Sequence, residues 1–143
     1  MGSSFSLRSV AMTRSLGFAT LILLSLGDAR GEPLVLSGTT YASQTDFLYG
    51  TWEWLRPEPQ QTVQMRFSRD GAFFFNNFTV GLTHHGKFKS DKANSMQVII
   101  DKSCDKKGCS DRNPPLVFDY PMRPTAPNQF YSNEEKWDRL SSQ

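Results

Sequence analysis

The sequence predicts an all-β protein: a small antiparallel up-and-down β-barrel that follows a cleaved signal peptide. Three observations carry that reading. Short segments of alternating apolar and polar residues recur along the chain, each with a turn signal behind it. No segment after the N-terminal region has the apolar spacing of a long amphipathic helix. Finally, the stretch FLYGTWEW, from Phe47 to Trp54, reads as a helical turn, a glycine and then an aromatic strand. Sequential hairpins favour a meander, and closing the meander removes the exposed edges of an open sheet.

Residues 1–29 have the layout of a secretory signal. Arg8 and Arg14 supply a positive start, Ser15 to Leu26 a short apolar core, and Gly27 and Ala29 the small residues of a cleavage site. The apolar run is too short to span a bilayer comfortably, and no cysteine follows it to carry a lipid. The mature chain is therefore expected to begin near Arg30 and to be secreted or periplasmic, with no stable membrane insertion after cleavage. Residues 30–46 mix Pro, Gly, Ser and Thr around one apolar run and read as an extended, partly ordered lead-in. Residues 47–143 form the barrel domain.

Within that domain, the prolines of Arg56-Pro57-Glu58-Pro59 stop the first strand. Residues 61–68 alternate cleanly, with Val63, Met65 and Phe67 on one face. Arg69-Asp70-Gly71 is a hairpin turn signal. The strand over 72–80 is apolar on both faces around Phe73-Phe74-Phe75, and Gly81 breaks it. Residues 82–89 put Leu82, His84, Gly86 and Phe88 on one face, and 95–101 put Met96, Val98 and Ile100 inward. Residues 102–115 read as a charged, turn-rich loop, 116–120 as a strand with Leu116, Phe118 and Tyr120 on one side, and 121–128 as a proline-broken loop. The last segment, 129–140, holds either a hairpin tip or one helical turn at 133–136. About seven strands result.

Both cysteines, Cys104 and Cys109, lie in the exported part, and an even count there argues for one disulfide. The loop it closes is short, so its task is to pin a turn. With no histidine nearby, the pair cannot complete a tetrahedral zinc site. Once the leader is removed, the charge balance is close to neutral, which offers no electrostatic reason for a nucleic-acid or membrane partner.

At Gly50-Thr51-Trp52 the chain resembles the lipocalin and wider calycin superfamily, whose first strand carries Gly-x-Trp after a short helical turn that closes the bottom of the barrel. Residues 44–49 match that turn. The family sets a basic residue from a late strand against the tryptophan, and Arg139, in Trp137-Asp138-Arg139-Leu140, takes that place. FSRDGAFFF, from Phe67 to Phe75, and Gly86-Lys87-Phe88 resemble the second and third strands of short bacterial lipocalin-like domains. The resemblance implies structural roles for Gly50, Trp52 and Arg139, and a small apolar ligand held inside the barrel. The chain departs from the family in being short, with about one strand fewer than the usual eight.

The candidate ligand-binding residues are Phe73, Phe75, His84, Phe88 and Tyr120. His84 points inward, where it meets either a ligand's polar head or, near a barrel end, water and a backbone carbonyl. His84 and His85 face opposite ways and cannot grip one metal ion without a bulge. The phenylalanines, with Met65 and Met96, either line a pocket or fill a core. Asp101-x-Ser103-x-Asp105 has Lys106 where a calcium loop needs glycine. Asn77-Phe78-Thr79 matches a glycosylation acceptor inside an expected strand. Glu134, Glu135 and Asp138 read as a solvated face.

The chain has no glycine-rich phosphate loop, no nucleophile elbow and no His/Asp/Glu cluster. No catalytic residue, metal or cofactor is expected. The expected function is a non-enzymatic binding module for a small apolar or amphipathic ligand. The alternative is a barrel that acts on an exported protein partner, such as an enzyme it inhibits, through the N-terminal arm and the Cys104–Cys109 loop.

Overall fold

The computed structural model describes residues 31–141. The expected signal peptide, residues 1–29, and Arg30 lie outside the described residues. The lead-in has more structure than its composition predicted. Strands β1 (Leu34–Leu36) and β2 (Thr39–Tyr41) pair antiparallel in a hairpin of their own. Ser43 then caps helix α1 (Gln44–Leu48), its hydroxyl accepting from the Asp46 amide at 3.1 Å. The helix is too short to hold itself by propensity. It is held by burial of Phe47 and Leu48, and by Gln44, whose side-chain amide bridges Ser95 O and the Asn94 amide.

Nine strands follow in one antiparallel sheet: β3 (Gly50–Arg56), β4 (Gln61–Phe67), β5 (Ala72–Asn77), β6 (Leu82–Lys89), β7 (Ser95–Asp105), β8 (Gly108–Pro121), β9 (Arg123–Ala126), β10 (Gln129–Ser132) and β11 (Glu135–Ser141). Neighbours in the chain pair in turn from β3 to β8 and from β9 to β11, and β11 returns to lie beside β3. The sheet is strongly curled, but it is a half-barrel and not the closed barrel expected. Strands β8 and β9 are the two edges, each with one partner. They are also one run of chain, parted only by Met122, whose amide donates to Asn94 O at 2.8 Å. The edges are tied at that point and unpaired beyond it.

Two segments differ from the sequence expectation, and at a third the structure selects the hairpin from the two alternatives left open. Residues 102–115 are the outer part of a long β7–β8 hairpin, in which Cys104 pairs with Cys109 and Lys106-Lys107 form the tip. The apolar period is lost there because this arm has no core beneath it; almost all of β8 is exposed. The prolines 114 and 115 fall where β8 leaves register with β7, so neither removes a ladder bond. Residues 123–126 form edge strand β9, and 133–134 are a hairpin turn with Asn133 at φ 54°.

The core runs along the inner face. At one end α1 plugs the half-barrel, with Phe47, Trp52 and Phe130 in contact at ring-centroid distances of 5.1 and 4.8 Å. Phe67 packs beside Phe73 and Phe88. The β3–β4, β5–β6, β7–β8 and β10–β11 turns all lie at the other, open end, because the meander alternates ends.

Candidate functional site

The plugged end is fastened by Arg139 on β11. Its guanidinium lies over the Trp52 ring at 4.1 Å and donates to Phe47 O and Tyr49 O, each at 2.6 Å, and to Pro127 O at 3.2 Å. One cation thus satisfies carbonyls that the short helix and the 127–128 turn leave without intrahelical or ladder partners. Trp52 donates its indole N–H to Leu48 O at 2.7 Å. Gly50 has φ +126°, and a side chain there would run into the Ser141 carbonyl and crowd Arg139. Gly50, Trp52 and Arg139 therefore form one contact group at the closed end.

Above this plug lies a cavity of about 280 Å³. Its apolar lining is Trp54, Met65, Phe73, Phe75, Leu82, Met96, Ile100, Phe118 and Trp137. The polar groups on its lining are His84, Tyr120, Ser132 and Glu135. Phe73, Phe75, His84 and Tyr120 come together here. Phe88 does not: it is buried at the plugged end, 4.9 Å from Phe67 and 6.3 Å from Tyr49. The β6–β7 register shifts between His85 and Gly86, where Asp101 is an extra residue on β7, so β7 loses its alternation there: Met96, Val98 and Ile100 are buried, and then Ser103. A side chain on Gly86 would strike the Ile99 carbonyl, so β7 packs directly onto this bend.

His84 stacks against Phe75 at 5.3 Å, and its Nδ1 is 2.9 Å from Ser103 Oγ. Arg112 Nε donates to the same oxygen at 3.1 Å. Burial, then the Arg112 charge, then His85, hold His84 below the usual histidine range. A neutral ring beside a cation accepts the Ser103 hydrogen on Nδ1, which assigns the ring's own hydrogen to Nε2. Burial pushes the Glu135 carboxyl up, partly opposed by Arg56. Burial, then the Glu135 charge, push the Tyr120 hydroxyl up. Tyr120 on edge β8 and Glu135 at the start of β11 thus face each other across the open seam of the half-barrel.

Glu135 was expected on a solvated face; it lies on the cavity wall. Its carboxylate has no hydrogen-bond or ion-pair partner among the described residues. The indole N–H of Trp137 is likewise without a partner, in a residue only 3% exposed. Trp54, Trp137 and Glu135 were absent from the sequence-based site. For the two tryptophans the signal was present, since period two places Trp54 with Trp52 and Trp137 with Arg139.

Asn77 is buried, and its side chain donates to Gln61 and accepts from the Val80 amide, so the folded sequon does not offer it for glycosylation. Among the described residues, no three His, Cys, Asp or Glu side chains converge on a metal position, and no helix is long and apolar enough to cross a membrane. Cys104 and Cys109 form a disulfide across the hairpin tip. Compared with protein families, with curated proteins and with solved structures, the chain has no match.

Proposed function

We propose that this chain is an exported, non-enzymatic binding module of lipocalin-like type, which takes a small apolar or amphipathic ligand into the half-barrel. The observation that carries the reading is the cavity, about 280 Å³ of ring-lined space above a solid plug. Natural cores fill such space, whereas ligand sites keep it with a few polar groups on an apolar wall. Its size, near the lower end of ligand pockets, suits a small molecule. The Arg139–Trp52 stack beside Gly50 supports the lipocalin-like assignment, and the leader pattern together with the disulfide supports export to the periplasm or beyond.

A second reading, a barrel that docks an exported protein, is favoured by the edge strand β8, where Leu116, Val117 and Phe118 are exposed. Native mass spectrometry of the exported protein tests both. The ligand reading expects a small adduct released on denaturation, and its loss in Leu82→Trp, which puts bulk at the cavity rim without lowering the melting temperature. A stable adduct of protein size that survives Leu82→Trp turns the reading to the second. A bare mass in both proteins, with no uptake of added apolar probes, refutes the first.

A further inference from the structure

Resting on that reading of the cavity, we infer that the ligand's polar end is a cation: an amphipathic amine whose ammonium sits between the aromatic wall and the carboxylate of Glu135. The argument begins with charge. Glu135 is the one lining residue of the cavity that carries a full charge, and that charge is negative. Arg112 reaches the site only through Ser103, and the His84 ring beside it is neutral. A carboxylate or phosphate head group would therefore meet a like charge that Arg56 offsets only in part, in partly desolvated surroundings. An ammonium group would meet its complement.

The rings add to this. Trp54 and Trp137 lie together at 5.8 Å, and Phe118 and Tyr120 at 6.0 Å, on opposite sides of the seam at which Glu135 stands. Aromatic faces carry negative quadrupole potential, and several around one cavity attract a cation more than a neutral isostere. The carboxylate's lack of a partner is the second observation. A half-buried anion that no described residue hydrogen-bonds or bridges, and that Arg56 offsets only in part, is costly to the fold alone, and a cationic ligand lowers that cost on binding. The unpartnered N–H of Trp137 and the Nε2 hydrogen of His84 suit an oxygen acceptor further along the same molecule.

Titration calorimetry at neutral pH with hexylamine, 1-hexanol and hexanoate, which share one chain and differ in head group, tests the inference. The expected order is hexylamine first, by about tenfold over 1-hexanol, with hexanoate last. Glu135→Gln should remove most of the amine's advantage and leave 1-hexanol unchanged. Arg56→Gln, which lifts a competing positive charge from Glu135, should raise amine affinity, and it keeps the test open should the first variant not fold. Equal binding of amine and alcohol, or hexanoate in first place, overturns the inference and leaves the cavity a ligand site. No heat with any of the three overturns both.

Discussion

Arg139 shows how much of this fold rests on single side chains. Its guanidinium joins α1, the first residues of β3 and the 127–128 turn through three carbonyls and the ring faces of Trp52 and Phe47. Each hydrogen bond to a charged donor contributes about 1.5–3 kcal/mol, and such bonds do not add fully within one network. Arg139→Ala is therefore expected to destabilise the protein by about 3 kcal/mol, read from urea denaturation with an unchanged m-value. Arg139→Lys should recover only a minor part, because one ammonium cannot copy a planar fork directed at separated carbonyls. Recovery of full stability by lysine would show that charge alone, and not geometry, holds the plug. Arg139 was legible through the lipocalin resemblance, which sets a late basic residue against Trp52; Glu135 was not, because an acidic pair next to a turn has the composition of a solvated face.

The element whose behaviour differs most from the rest is the β7–β8 hairpin. Beyond Ile100 and Leu116 it leaves the core, and what holds it is ladder bonding, the Asp105 side chain accepting from the Lys107 amide at 2.7 Å, and the disulfide. The chain-entropy account of so short a covalent loop gives about 2 kcal/mol at most. Replacing both cysteines by serine should thus act locally. Amide exchange should quicken over 102–112, which includes the Ser103–Arg112 contact that orients His84, while β3 to β5 keep their protection. Uniform loss of protection across the sheet would show that the hairpin is part of the cooperative core. The sequence offered no apolar period here because the arm has one side to water and no partner on the other.

At the scale of the whole molecule, the cavity makes stability depend on pH through the groups that line it. His84 titrates below its ordinary value of 6.5 in the fold. The unfolded chain then binds the proton first, so the His84 contribution is present above that value and is lost as pH falls through the folded one. Glu135 has the opposite sign. Its folded pKa lies above the ordinary 4.5, so its contribution is complete at acid pH and is lost as pH rises through the folded value. The melting temperature should therefore fall as pH drops below about 6.5, and His84→Gln should flatten that fall. If the variant and the parent lose stability in parallel, His84 is not the group responsible. Amine binding should weaken on acidification at a higher pH than a solvated glutamate would give, since Glu135 becomes neutral early.

The sequence by itself determined the all-β class, the order of most strands and the disulfide, while Gly50, Trp52 and Arg139 were pointed to by the resemblance to lipocalins. Those features follow from local chemistry: period-two alternation, turn residues, and one aromatic strand after a helical turn. Tertiary structure alone decided that the sheet stops at a half-barrel, that β8 and β9 are its edges, that Phe88 packs the plug and not the cavity, and that Glu135 faces Tyr120. Each depends on where the curl of nine strands brings distant residues, and on a bulge that moves one strand against its neighbour. Alternation tells which residues share a face; it does not tell at what height along the barrel they meet, and height separates a packed ring from one that lines a cavity.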